Sequence, residues 1–314
     1  MAHAARSFSF SLWRFRWASP AFYPVEANPP FLGGTPCARI EAGEPATGGG
    51  DRMARARVSV DIAADMGESF GPWPMGRDAD IAPHLTSAHI ACGFHASDPG
   101  TIRTTIELLA RHNIAIGAHP GYPDLVGFGR RRMDLTSREV EDLVLFQVAA
   151  VKGMVEAHGL RLQHVKPHGA LYNVAEADDG TAAAIVGAVK RIDPALIIVA
   201  TPHSRLRAQA VAAGMTAAHE FFLDRGYNAD GTLVSRRRPD AMLTDPEAMC
   251  RRAVTAVRDH RLLTAGQAAL DMRVDTICLH GDHPPSQQAV RMLKGMLEAA
   301  GIAVLPLREW LKPS

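Results

Sequence analysis

Eight short apolar runs are spaced between residues 58 and 305, and an amphipathic stretch separates most of them. The runs are Val58–Ile62, Ala88–Cys92, Ile114–Ala118, Leu162–Lys166, Leu196–Ala200, Thr216–His219, Val274–Leu279 and Ile302–Leu305. Such runs suit buried strands. Between them, Thr101–His112 carries Ile102, Ile106, Leu109 and Ala110 on one face, and Ser137–His158 opens with Thr136 and Glu139 at capping-box spacing. Further helices are predicted over Gly180–Arg191, His203–Ala213, Pro246–Arg261 and Pro284–Ala300. Strands that alternate with helices pair in parallel, because each crossover helix carries the chain back to the same end of the sheet. Seven or eight such units over about 255 residues predict an α/β fold, a closed, TIM-like (β/α) barrel rather than an open sheet. Neither an internal repeat nor a linker interrupts the pattern, so residues 53–314 are expected to form a single barrel domain.

Residues 1–52 do not share this pattern. Phe8, Phe10, Trp13, Phe15, Trp17, Phe22 and Tyr23 crowd the start beside Arg6, Arg14 and Arg16, and the first acid is Glu26. Pro29-Pro30, Gly33-Gly34 and Gly48-Gly49-Gly50 then break up a stretch with no periodicity. No apolar core with a cleavage site follows, as a signal peptide requires. The reading is an N-terminal extension, disordered or preceding a true start at Met53, and dispensable for fold and activity.

Composition narrows the function classes. A net charge of +1 on 314 residues argues against nucleic acid or an anionic membrane as partner. Cys37, Cys92, Cys250 and Cys278 form no C-x-x-C pair, which points to a reducing compartment. No apolar run approaches the ~18 residues that a membrane span needs. A cytoplasmic protein is expected, with a homo-oligomer left open.

In (β/α) barrels the loops that follow the strands carry the chemistry. Here they deliver Asp61 to Glu68, then Cys92-Gly93-Phe94-His95 with Asp98, then His119-Pro120 and Gly127 to Arg131. The fourth is His164-Val165-Lys166-Pro167-His168-Gly169-Ala170-Leu171-Tyr172-Asn173, and the later ones bring His219-Glu220, Asp224-Arg225 and His280-Gly281-Asp282-His283. Taken singly, a histidine after a strand is more often a hydrogen-bonded structural group. Asp224-Arg225 alone reads as a surface ion pair of little energetic weight, and Asp230-Gly231 as ordinary turn chemistry. A lysine at the mouth of a buried strand, however, is costly to desolvate unless it meets a charge. Most of the runs, moreover, end close to a histidine or carboxylate at the same end of the barrel, which one active site explains better than independent accidents.

Motifs limit that site. H-E-x-x-H, the G-x-S-x-G elbow, the P-loop and a G-x-G-x-x-G after the first strand are all absent. Asp65, His95, His119, His168 and His280 can still converge on one protein-bound divalent metal, and phosphate can be held by Lys166, Arg130, Arg131 or Arg225.

Together these segments, in order and at matching spacing over about residues 57–308, resemble the LamB/YcsF family of A subunits of the bacterial ATP-dependent 5-oxoprolinase. The resemblance implies a barrel with distorted closure, similar to the glycoside hydrolase and polysaccharide deacetylase barrels. It implies opening of the lactam 5-oxo-L-proline to L-glutamate as ATP, with Mg2+, becomes ADP and phosphate, alongside partner subunits B and C. Carried onto this sequence, the catalytic candidates are Asp65, Glu68, Lys166, His168, Asp224 and Arg225. The substrate- or nucleotide-binding candidates are Gly93, His95, His119, Arg130, Gly169, Tyr172, Asn173, His280 and Asp282. A lactam is a poor electrophile, and phosphorylating its oxygen makes it one that water attacks. Lys166 and Arg225 are then the cations for phosphate, Asp65, Glu68 or His168 positions water, and backbone N–H groups near Gly93 and Gly169 meet the substrate carboxylate. One position departs from the family: Ala63 stands where Asn is usual, which touches substrate choice more than fold. Two other functions remain open, a metal-dependent amide hydrolase or deacetylase acting alone, and a non-catalytic lactam-binding subunit.

Overall fold

The computed structural model describes residues 58–281 and 283–312. Expectations about residues 1–52 and about Asp282 lie outside the described residues. In chain order the elements are β1 (Ser59–Met66), α1 (Asp78–Ile81), β2 (Ser87–Ala91), α2 (Pro99–Arg111), β3 (Ala115–His119), α3 (Ser137–Ala157), β4 (Leu162–Val165), α4 (Gly169–Ala177), α5 (Asp179–Ile192) and β5 (Ile197–Ala200). There follow α6 (Arg205–Ala212), β6 (Ala217–Phe222), α7 (Pro246–Asp259), β7 (Arg261–Leu263), β8 (Ala269–Asp271), β9 (Thr276–His280), α8 (Pro284–Ala299) and β10 (Ala303–Val304).

Seven parallel strands close the barrel in the order β1-β2-β3-β4-β5-β6-β9, with β9 returning to β1. The eighth, β10, pairs only with Ser59 and Val60 at the beginning of β1, and β9 takes over from Asp61. This exchange of partners along β1 is the distorted closure. The predicted TIM-like barrel of seven or eight strands is therefore what the chain forms.

The two faces of each strand explain both core and site. Along β1, Val60, Ile62, Ala64 and Met66 join the apolar core, while Asp61, Ala63 and Asp65 alternate onto the other face. Ile90 and Ala118 repeat the pattern on the outer side of β2 and β3, with His89 and His119 inside. The barrel interior is consequently polar and must satisfy itself. Asp61, fully buried, accepts hydrogen bonds from the hydroxyls of Thr86, Ser87 and Thr276 at 2.6 Å each. Burial nevertheless raises its carboxyl above the ordinary value.

Space in this interior is exact at Gly117. The β3–β4 register shifts between Ile116 and Gly117, and His164 then lies directly opposite the glycine. A Cβ on Gly117 would fall 2.1 Å from His164 Nε2, and His164 is completely buried. Gly117→Ala is expected to cost about 1–3 kcal/mol as an overpacking change. Urea unfolding checks this: an unaltered midpoint would mean that His164 can move aside.

Sequence periodicity locates the barrel strands but not all else. The hairpin β7–β8 escapes it, because three-residue strands give too few alternations to recognise. Strand six also runs past the predicted His219 to Phe222. His219 is therefore mid-strand and bonds Asp275 at 2.5 Å, the structural role usual for such a histidine. After Lys166 the chain enters helix α4, which the Pro-Gly punctuation conceals. Pro167 and Gly169 lie where a helix tolerates them, ahead of it and at its first residue.

Candidate active site

The site is built at the ends of β1, β3 and β4 and on the turns that follow. Gly169 opens α4 with φ +53°, and a Cβ there would meet the Gly129 carbonyl at 2.8 Å. Ala170 N–H donates to that carbonyl at 2.9 Å, and His168 N–H to the Pro120 carbonyl at 2.8 Å. The β4 turn is thereby clamped to the two segments that follow β3.

Lys166 occupies the centre, 2% exposed. Its Nζ lies 2.8 Å from Asp65 Oδ1, 3.0 Å from Glu220 Oε1 and 3.0 Å from Cys278 Sγ. Tyr172 donates to the other Glu220 oxygen at 2.6 Å, and His89 Nδ1 is 3.0 Å from Asp65 Oδ1. Burial opposes the ammonium charge, but Asp65, Cys278 and Glu220 outweigh it and hold the Lys166 pKa well above its ordinary value. Burial likewise raises Asp65, yet His119 and Lys166 prevail and keep its carboxyl well below the usual range. The lysine charge is thus balanced inside the protein by two carboxylates.

Beside this cluster stand three imidazoles. His119 Nδ1 is 2.6 Å from the Lys166 carbonyl, and His168 Nε2 is 2.8 Å from the Phe128 carbonyl. Their remaining nitrogens, His119 Nε2 and His168 Nδ1, face each other at 3.0 Å. His95 stacks on His168 with ring centroids 3.7 Å apart and planes 2° from parallel, and neither of its nitrogens has a hydrogen-bond partner. Glu68 Oε1 lies 3.7 Å from His95 Nε2 and 3.8 Å from His168 Nδ1. Burial, and then His119, pulls the His168 pKa down to about 3.

These groups border a cavity of about 430 Å³. Asp65, Glu68, His119, Lys166 and His168 line it from the strand ends, and Gly169, Tyr172 and Asn173 from α4. His280 and a set of arginines also line it: Arg130, Arg225, Arg236 and Arg237. Arg225 is 6% exposed; its Nη2 donates to the Val234 carbonyl at 2.6 Å, while its Nε has no partner. Burial, with Arg236 adding, lowers its pKa to about 10.

Most of the candidates read from the sequence are therefore brought together, with some standing behind the wall. His95 backs the cavity through His168 and Glu68. Asp224 is buried against His280, whose Nδ1 lies 2.7 Å from its carboxylate. Gly93 does not line the cavity; it holds a turn at φ +90° and donates to the Ala96 carbonyl. Arg131 turns away to pair with Asp124. Ala63 is fully buried between Ser87 and Cys278 in the register, so its departure from the family pattern alters the barrel interior rather than the cavity wall. Sequence reasoning missed His89, Arg236 and Arg237 and gave no role to Glu220. Alternation along Ala218-Glu220-Phe222 was the available signal for Glu220; His89 was hidden inside an apolar run, and the two arginines in a long loop.

Residues 60–312 match the LamB/YcsF family, nearly the whole of the described barrel. The chain belongs to the LamB/YcsF family. Among curated relatives it is 48% identical over 250 residues to the 5-oxoprolinase A subunit of Nitrobacter winogradskyi, covering 79% of this chain and 98% of that one. It is 42% identical over 255 residues to the 5-oxoprolinase A subunit of Pyrococcus horikoshii, covering 81% and 100%. Among solved structures it is similar to the lactam utilization protein of Thermus thermophilus, with TM-score 0.75 and 43% identity over 79% of this chain and 99% of that one. The family match spans every strand-end segment that builds the cavity. Among the described residues no helix is long and apolar enough to cross a membrane.

Proposed function

We propose that this chain is the A subunit of an ATP-dependent 5-oxoprolinase and that its cavity opens the lactam ring. The observation that carries this reading is one cavity in which four guanidinium groups stand beside carboxylates and imidazoles. An uncharged amide has no use for so many cations, whereas a phosphorylated lactam that also bears a carboxylate does. The naming of the relatives as 5-oxoprolinase A subunits supports the same substrate.

In the proposed reaction the lactam oxygen takes the phosphoryl group of ATP, held with Mg2+ in the complex with subunits B and C, and ADP leaves. Water then adds to the activated ring carbon, the C–N bond breaks, and the nitrogen takes a proton, leaving an acyl phosphate. A second water releases phosphate and completes glutamate. Asp65 fits the task of orienting water: it is held ionised by Lys166 and borders the cavity. A carboxylate so strongly stabilised is a weak base. Weak bases suffice when the electrophile is activated in advance, and would not for an untouched lactam. Arg130, Arg225, Arg236 and Arg237 neutralise the phosphate and the substrate carboxylate.

The test is glutamate release from 5-oxo-L-proline by the chain with subunits B and C, with and without ATP. Release that requires all three subunits and ATP is the expected result. Release by this chain alone without ATP would select the second reading, a stand-alone amide hydrolase, which the imidazole cluster favours. Binding of the lactam with unaltered release when cavity residues are replaced would leave only a binding subunit.

A further inference from the structure

The imidazole cluster gathers more ligand atoms than its own protons serve, and His95 is left without a hydrogen-bond partner on either nitrogen. A carbonyl oxygen only accepts hydrogen bonds, so the nitrogen against it must carry the proton. The Lys166 carbonyl therefore fixes the proton of His119 on Nδ1, and the Phe128 carbonyl fixes that of His168 on Nε2. In their neutral forms the two rings therefore turn bare nitrogens, His119 Nε2 and His168 Nδ1, toward each other at 3.0 Å. Asp65 Oδ2 adds more negative charge 3.2 Å from His119 Nε2. Glu68 and His95 complete a group of four with His119 and His168, in which each residue offers one ligand atom and these atoms all lie within 4.8 Å of one another. His95 is fully buried and has no hydrogen-bond partner on either nitrogen. Lone pairs gathered in this way repel unless a cation lies among them.

We propose that Glu68, His95, His119 and His168 bind one divalent transition-metal ion at the edge of the cavity. The donor set is three imidazoles and one carboxylate, the set that zinc and its first-row neighbours prefer to magnesium or calcium. Zinc–nitrogen bonds of ~2.0–2.1 Å place tetrahedral ligand atoms ~3.4 Å apart. Three of the separations found here, 3.0, 3.7 and 3.8 Å, bracket that figure, and all lie within 4.8 Å. Carbonyl oxygens that hold the outer N–H of two of the rings are the supports that ligating histidines ordinarily have. A proton shared by His119 and His168 would serve those two atoms and leave His95 unserved.

The rest of the interior excludes two other arrangements. Asp65, His89 and Cys278 also lie close together, but the Lys166 ammonium already stands among them. His280 directs Nδ1 at Asp224, and its Nε2 lies 3.2 Å from Arg236, so it is no part of the set. The metal site does not rest on the lactam reading: a chain that fails to open lactams can still bind the ion, and one that opens them can lack it.

Metal analysis of the full chain, purified without chelator, decides the matter together with calorimetric titration of chelator-treated protein with Zn2+. Zinc is the appropriate probe because an imidazole site selected for manganese, iron or cobalt still binds it tightly. About one equivalent of transition metal, removed by chelator and restored by Zn2+ with a rise in thermal midpoint, is the expected result. His95→Ala and Glu68→Gln should each weaken Zn2+ binding by ~100-fold or more, whereas His280→Gln should bind as the native chain does. Circular dichroism separates loss of the site from loss of the fold. A folded native chain that carries no metal and takes up no Zn2+ overturns the proposal whatever the variants do, and so does Zn2+ binding that His95→Ala leaves unchanged.

Discussion

Lys166→Met is expected to lower the stability of the barrel by about 3–5 kcal/mol, the scale on which removing one member of a buried ion pair leaves its partners uncompensated. Methionine fills most of the lysine volume, so the loss reports charge rather than a cavity. Without the ammonium, Asp65 and Glu220 remain buried and lose the cation they share. The dependence on pH gives the sign. In the native chain Asp65 has a lowered pKa, so its contribution is present above the unfolded value of ~3.9 and is lost only as pH falls through the lower folded value. Lys166 has a raised pKa, so its contribution is complete below the unfolded value of ~10.4 and is lost as pH rises through the higher folded value. The native cluster therefore holds across the neutral range. In Lys166→Met the buried carboxylates instead favour protonation, and the deficit against the native chain should be largest near neutrality and shrink on acidification. Denaturant unfolding at neutral pH and at mildly acidic pH measures both quantities. A deficit below ~1 kcal/mol, the ordinary size for an unremarkable substitution, or one that does not change with pH, would refute the ion cluster.

That balance of charge bears on function. Flanked by two carboxylates, Lys166 brings no net positive charge to the cavity, and a phosphate there would gain little from it. In the proposed reaction its part is to hold Asp65 ionised and in place. In that reaction the cations that face a transferred or leaving phosphate are the arginines of the cavity wall.

The fold was legible in the sequence because a parallel barrel imposes regular demands. Each strand must be apolar toward its helices, and each helix must carry one apolar stripe, so Val60, Ile62, Ile90 and Ile198 declare themselves. Legibility fell wherever the interior, rather than the outer layer, set the residue. His89 and His164 sit in the midst of strands because the barrel is filled by polar groups, and an apolar run conceals them. Glu220 could be placed only once β6 was known to run to Phe222, since the side-chain alternation then turns it inward. The histidines of the site were visible as an ensemble at one end of the strands. What the sequence could not supply was their protonation. That depends on the Lys166 and Phe128 carbonyls, which approach from other segments. The arginine wall was equally hidden, because Arg236 and Arg237 lie in a loop without periodicity and Arg131, which a local reading favours equally with Arg130, points to Asp124.

Arg225→Ala should separate the proposed chemistry from simple substrate binding. Arg225 is held by the Val234 carbonyl through Nη2, and Arg252 donates to its own carbonyl at 2.9 Å, so its guanidinium is fixed before any ligand arrives. Its Nε, buried and unpartnered, is a donor kept for an acceptor that the protein does not provide. A group preorganised in this way acts most strongly on charge that develops during reaction, and loss of one such donor costs ~10²–10³ in turnover. With subunits B and C present and ATP saturating, Arg225→Ala is therefore expected to lower kcat by ~10² or more and to raise the KM for 5-oxo-L-proline much less. Arg225→Lys should recover little, since a single ammonium cannot reproduce a planar fork against phosphate. The thermal midpoint should fall only slightly, because a single backbone acceptor, the Val234 carbonyl, loses its partner. Were KM to rise while kcat stayed native, Arg225 would be holding the substrate carboxylate equally in ground and transition states. Were turnover to stay above half of native, the arginine wall would have no part in the reaction, and the cations for phosphate would have to be sought outside this chain.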